Sequence, residues 1–276
     1  MIGVIDVGGG TRGVYGAGVF DWCMDHGVSF DYFAGVSAGS ANGASFLAGQ
    51  RGRNLRFYNE YAFRKEYMSW NNFRRTGEYI DLDYIYTTLS GTNGEDPLDY
   101  DAMMRNPTRM EIVASNAILG VPEYYSKEIM RRDDYAPIKG SCAVPLACKP
   151  YNVYGTPCFD GGISDPIPYA RAFAQSCDHV VVVLTRPKSS FRKPNRDIRF
   201  ARLLRRRYPK AAELLSRRSE TYNRSLRAVL ELERQGKVTI IAPEDIGQMK
   251  TLTQDHAAIL SMYEKGYRDA SVIERL

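Results

Sequence analysis

The sequence predicts an α/β fold of three layers, α/β/α, built on a mostly parallel central sheet. Three observations carry this. Short apolar runs at 2–7, 30–36, 179–185 and 237–242 read as buried strands. Helical patterns lie between them, and strands that alternate with helices form parallel sheets covered on both faces. The first two runs each break into a glycine-rich turn that opens a helix, at Gly8–Gly13 and at Gly35–Gly39.

Taken in order, IGVIDV at 2–7 is a strand and a helix follows over roughly 14–26, ending near Gly27. The second strand runs from Phe30 to Val36, and the small residues from Ser40 to Gly49 suit a helix packed closely on a sheet. Residues 50–108 read as mainly helical. Residues 110–118 and 122–126 flank a Leu-Gly turn and predict a hairpin, 135–147 a short helix, and 151–159 a second hairpin leading into Asp160. The Val-rich run 179–185 predicts a central strand. One apolar stripe through Leu203/Leu204, Leu214/Leu215, Leu226 and Leu230 predicts helix over 197–235. A last strand at 237–242 and a helix over 251–271 close the chain, and the charged, proline-punctuated stretch 186–199 reads as a loop or lid.

At 276 residues the chain suits one large domain with an appendage. No run approaches the roughly 20 apolar residues of a membrane span. The opening MIGVIDVGGG reads as a first strand rather than a secretory signal. The five cysteines, Cys23, Cys142, Cys148, Cys158 and Cys177, form no CxxC pair. Their odd number argues against a disulfide framework and a structural zinc, and for free thiols in a reducing compartment. No metal is expected. Net charge is +5, but residues 186–237 hold 17 Lys/Arg against 5 Asp/Glu. Such a basic region suggests an anionic surface as partner, membrane or nucleic acid, or else solvated helix faces.

Gly8, Gly10 and Gly13 satisfy G-x-G-x-x-G between a strand and a helix, the context of a dinucleotide fingerprint. The same loop aims backbone N–H groups at any anion, an oxyanion included. A dinucleotide fold needs an acidic residue ending the second strand. That end is Ala34-Gly35-Val36-Ser37 here, which disfavours the dinucleotide reading.

Gly35-Val36-Ser37-Ala38-Gly39 has the setting of a nucleophile elbow, with the Ala38 N–H as an oxyanion donor. The structural alternative is a tight strand–helix connection. A Ser-His-Asp triad needs a histidine. His26 sits at a helix end, His179 opens a strand and His256 lies within a helix, so each reads as structural. Asp160-Gly161-Gly162 offers a carboxylate at a strand end, where burial would raise its pKa toward that of a general base. As bare sequence, D-G-G is also a turn.

The ordered set Gly8-Gly9-Gly10-Thr11-Arg12-Gly13, Gly35-Val36-Ser37-Ala38-Gly39 and Asp160-Gly161-Gly162 resembles the patatin-like phospholipase family, over roughly residues 2–185. The basic C-terminal part looks like the extension of the family's bacterial branch. The resemblance implies a patatin-like catalytic domain over 1–190, with a basic, mainly helical extension over 191–276 packed on it. It implies a Ser37–Asp160 dyad that hydrolyses lipid acyl esters through an acyl-enzyme, with no cofactor. Gly8, Gly9, Gly10, Thr11 and Arg12, with Ala38, would form the oxyanion hole, while Gly13, Gly35, Gly39, Gly161 and Gly162 complete the motifs. Arg12 could instead steady the loop, attract an anionic head group, or form a structural salt bridge. A transacylase and a non-catalytic lipid- or nucleotide-binding protein are the competing readings.

The expected partner is a lipid ester. Residues 64–75 (RKEYMSWNNFRR) mix aromatics with cations, which suits a bilayer surface or a helix packed on the core. The basic helices of 199–227 could meet anionic lipid. They carry no nucleic-acid motif, so no nucleic-acid partner is expected. The expected location is cytoplasmic, with peripheral membrane contact.

Overall fold

The computed structural model of the chain describes residues 1–275. The strands are β1 (Ile2–Asp6), β2 (Tyr32–Val36), β3 (Arg109–Asn116), β4 (Pro122–Ser126), β5 (Tyr151–Val153), β6 (Thr156–Asp160), β7 (His179–Val183) and β8 (Val238–Ile241). The helices are α1 (Val14–Asp25), α2 (Ala38–Leu47), α3 (Arg53–Asn59), α4 (Trp70–Thr76), α5 (Tyr100–Arg105), α6 (Ala136–Cys142), α7 (Tyr169–Ala174), α8 (Asn195–Leu204), α9 (Pro209–Arg234) and α10 (His256–Asp269). The expected helix over 197–235 divides into α8 and α9 because Pro209 takes the first position of a new helix and bars helical backbone at Tyr208. In 50–108 the helices are short, and a π-helix turn at Tyr84–Leu89 interrupts them.

Strands β8, β7, β1, β2 and β3 run parallel, side by side. Their residues alternate between two cores, as a pleated strand requires. Val4, Phe33, Val181 and Val183 pack with α1, α2 and α10 on one face. Ile5, Ala34, Val180 and Val182 pack with α7 and α9 on the other. This is the expected three-layer arrangement.

The register around β3 governs the site. Val113 pairs with Tyr124 of β4 and with Val36 of β2, while Ala114 pairs with Glu123 of β4 and with Asp160 of β6. A strand residue has two edges, so β2 and β6 must share the edge opposite β4. They approach along it from opposite directions. The last residue of β2, Val36, meets the last residue of β6, Asp160, end to end.

The C-terminal region contributes β8 to the sheet and α10 to one layer. Helix α10 crosses α1 closely: a Cβ on Gly18 would lie 2.1 Å from the Tyr263 carbonyl oxygen, and one on Gly266 would lie 2.0 Å from that of Tyr15. Flanking hydrogen bonds from Tyr15 to Asp269 and from Tyr263 to Asp21, each 2.7 Å, fix the crossing. In Gly266→Ala the gain in helix propensity, about 1 kcal/mol, is opposed by an overlap with backbone that costs about 1–3 kcal/mol. Because the obstructing atom is a carbonyl of the paired helix, the upper part of that range applies. Denaturant unfolding should show a net loss of about 1–2 kcal/mol, and an unchanged or raised midpoint would contradict this packing.

Candidate active site

The turn after β2 holds Ser37 at φ 55°, ψ −130°. A non-glycine residue there carries roughly 1–3 kcal/mol of strain, so its surroundings must impose it. Ser141 does so from α6: its Oγ accepts from the Ser37 N–H (2.8 Å) and donates to the Val113 carbonyl (2.6 Å). On the other side, the Ser40 hydroxyl donates to the Ser37 carbonyl (2.6 Å). Ser37 is left at the start of α2, 7% exposed.

The glycine loop lies directly against this turn. Gly8 has φ 60°, and a Cβ there would sit 2.2 Å from the Val36 carbonyl oxygen and 2.9 Å from the Ala38 nitrogen. Glycine is needed for both reasons, the backbone angle and the close approach. The loop is seated by Asp6, whose Oδ1 accepts from the Gly8 N–H (2.9 Å) and whose Oδ2 accepts from Asn42 Nδ2 (2.8 Å). The Thr185 hydroxyl donates to the Gly8 carbonyl, and the Thr11 N–H donates to the Thr251 carbonyl (2.8 Å). Two of the six residues expected around an oxyanion, Gly8 and Thr11, thus have their N–H groups engaged within the fold. The N–H groups of Gly9, Gly10 and Ala38 meet no backbone acceptor among the described residues.

Asp160 ends β6 and is 5% exposed. Its N–H donates to the Ala143 carbonyl (2.8 Å), its carbonyl accepts from the Ser115 hydroxyl (2.8 Å), and its Oδ1 accepts from the Gly162 N–H (2.8 Å). Burial raises its carboxyl above the ordinary carboxylate range, against the opposing effects of Arg218, the neighbouring Ser37 hydroxyl, the Gly162 N–H and Arg192. Asp6, fully buried, is likewise pushed up by burial, to about 6.

Ser37, Asp160, Gly8, Gly9, Gly10, Arg12 and Gly162 all line one cavity of about 990 Å³. Gly13, Gly35, Gly39 and Gly161 stand behind it, where side chains would collide with neighbouring atoms. Leu146, Phe200 and Leu215 give it apolar wall. Trp70 and Phe73 of the 64–75 segment also line it, as do Phe191 and Leu252, and these four side chains are 69%, 42%, 45% and 40% exposed. None of the three histidines lines it. His26 stacks on Trp22, His256 stacks on Phe63, and His179 bonds Thr239. The five cysteines are buried and free.

Sequence reasoning did not find Asp6, Asn42, Ser141 and Thr185, the polar posts of the loop and elbow. It also did not single out Arg186, Arg192 and Arg218, which line the same cavity. Asp6 left a trace, as a charged residue closing an otherwise apolar strand. Ser141 left none, because its role depends on how α6 lies over β3.

Asp6 makes a stability prediction. Its folded pKa of about 6 lies above the ordinary 3.8, so between these values the folded chain holds more protons than the unfolded one. Its contribution is therefore most favourable below pH 4 and is lost as pH rises through 6, by about 3 kcal/mol. In Asp6→Asn that loss disappears. The decline in unfolding free energy from pH 4 to 6.5 should be smaller in the variant by about 2–3 kcal/mol, and parallel profiles would refute the assignment.

Residues 7–173 match the patatin-like phospholipase family, and residues 208–273 match a domain of unknown function, DUF6363. The uncharacterized protein YjjU of Escherichia coli strain K12 is 29% identical over 208 residues, which cover 70% of this chain and 54% of YjjU. This chain thus spans about half the length of that curated relative. The crystal structure of VipD from Legionella pneumophila shares the fold, with a TM-score of 0.54 at 15% identity over 98% of this chain and 66% of that one. The family match extends over more than half of the sequence and includes all three glycine-bearing motifs, and on that ground the chain belongs to the patatin-like phospholipase family.

Proposed function

We propose that the protein is a serine acyl hydrolase that cleaves carboxylic ester bonds of lipids through a Ser37–Asp160 dyad. The family supports lipid acyl hydrolysis in general. The observation that carries the dyad is the end-to-end meeting of β2 and β6, which brings a strained serine beside a buried carboxylate of raised pKa at one cavity wall.

In this reading Ser37 Oγ attacks the ester carbonyl carbon while Asp160 accepts the hydroxyl proton. Negative charge develops on the former carbonyl oxygen, and the N–H groups of Gly9, Gly10 and Ala38 stabilise it. One such donor is worth about 3–4 kcal/mol in a transition state. The proton then passes from Asp160 to the leaving alkoxide, and the acyl group stays on Ser37. Water attacks this ester while Asp160 takes its proton. Asp160 then returns that proton to Ser37 Oγ as the acyl–oxygen bond breaks, and the carboxylic acid departs with serine and carboxylate restored. Asp160 must be ionised to act; burial makes it a stronger base, while Arg218 and Arg192 favour its ionised form.

The acyl chain has apolar wall at Leu146, Phe200 and Leu215. Exposed Trp70, Phe73, Phe191 and Leu252 at the cavity suit contact with a lipid surface. No helix among the described residues is long and apolar enough to cross a membrane.

A fluorophosphonate probe should label Ser37 of the wild-type protein, located by peptide mass spectrometry. Ser37→Ala and Asp160→Asn should each lower ester turnover by at least about 10³-fold, the scale on which members of a catalytic unit act, with thermal unfolding midpoints retained. A folded Asp160→Asn protein with wild-type turnover would overturn the dyad.

A further inference from the structure

Three arginines beyond the patatin-matched residues 7–173 line the same cavity: Arg186 after β7, Arg192 in the following loop and Arg218 on α9. Arg12 of the glycine loop joins them, although it is 4% exposed. Their charges are poorly answered. Arg12 Nη1 donates to Thr251 Oγ1 at 3.3 Å, Arg218 Nε donates to the Gly162 carbonyl at 3.0 Å, and Arg192 lies 3.7 Å from Asp197. Arg12 Nε and Arg186 Nε are buried without a hydrogen-bond partner among the described residues. The carboxylates lining the cavity are Asp160 and Asp197. Arg186 and Arg218 act on both Arg12 and Arg192. Burial, then Arg186, Arg192 and Arg218, bring the Arg12 pKa down to about 9, so the group remains charged at neutral pH.

Bringing four cations together and leaving buried N–H groups unpaired is costly without an anion to receive them. Planar guanidinium forks suit the oxygens of a phosphate, which can accept from several donors at once. We propose that Arg12, Arg186, Arg192 and Arg218 form a phosphate subsite beside Ser37, so that the lipid cleaved here carries a terminal phosphate as its head group. This rests on the reading of the cavity as a lipid ester hydrolase site. A terminal phosphate monoester offers three oxygens and nearly two negative charges to the four cations. A phosphodiester capped by an ammonium would bring a further cation among the arginines, and an uncharged glyceride would leave them unanswered.

Binding tests this without turnover. The Ser37→Ala protein is titrated calorimetrically with dihexanoyl phosphatidate, dihexanoyl phosphatidylcholine, dihexanoylglycerol and inorganic phosphate. Phosphatidate should bind at least about tenfold more tightly than each of the other three, as a charge-assisted contact allows. Adding Arg186→Gln or Arg192→Gln should weaken phosphatidate at least about tenfold and dihexanoylglycerol much less, while Arg186→Lys recovers part of the loss. Circular dichroism and unfolding midpoints establish that each variant is folded. Equal affinity for the three lipids, undetectable phosphatidate binding, or indifference of a folded Arg186→Gln, Arg192→Gln double variant would overturn the subsite. Inorganic phosphate binding as tightly as phosphatidate would assign the arginines to a free anion and overturn the head-group inference. Failure of the hydrolase reading is separate, because it shows as an unlabelled Ser37 in wild-type protein treated with fluorophosphonate.

Discussion

The site depends on one constraint: two strands of opposite direction share a single edge of β3 and stop where they meet. Val36 and Asp160 end β2 and β6 at neighbouring residues of β3, Val113 and Ala114. Residues 37 and 160 are far apart in the chain, yet their backbone positions are set by ladder hydrogen bonds rather than by loops. The chain leaves the two strands in different ways. Ser37 turns into α2 with strained backbone angles, while Gly161 and Gly162 turn away in a 3-10 helix. Ser141 ties the elbow after β2 to β3, because it bonds both the Ser37 N–H and the carbonyl of Val113.

Electrostatics divides two buried carboxylates into two kinds of work. Asp6 lies within the sheet and is satisfied by Asn42 and the Gly8 N–H, so it holds the glycine loop against the elbow. Asp160 lines the cavity, where Arg218 and Arg192 oppose the effect of burial. The arginines therefore act on the carboxylate as well as on any anion that enters. An anion bound among them would screen Asp160 from their field and raise its basicity.

Much of this was legible in the sequence because it rests on local signals. Apolar runs marked β1, β2, β7 and β8, and the glycine patterns marked the loop, the elbow and the turn after Asp160. The division of 197–235 at Pro209 was visible in principle, since proline stops a helix from running through. The supporting posts were not legible. Ser141 and Thr185 are ordinary residues whose importance comes from the packing of α6 and from the end of β7. Arg186, Arg192 and Arg218 showed themselves as a basic stretch, but not that they converge. That convergence requires the loop after β7 and helix α9 to lie over the same cavity, and periodicity shows which face of a helix is apolar, not which neighbour it covers.

The central claim is that Asp160 is the base that activates Ser37, and direct titration of its carboxyl tests it. A carbon-13 NMR titration, assigned by the signal missing from Asp160→Asn, gives its pKa. The pH dependence of Ser37 phosphonylation gives the pKa on which reactivity depends. The account predicts an Asp160 midpoint above the ordinary value of about 3.9, matched by the acid limb of phosphonylation. An Asp160 that titrates at or below that value, or an acid limb that survives unchanged in Asp160→Asn, would contradict it.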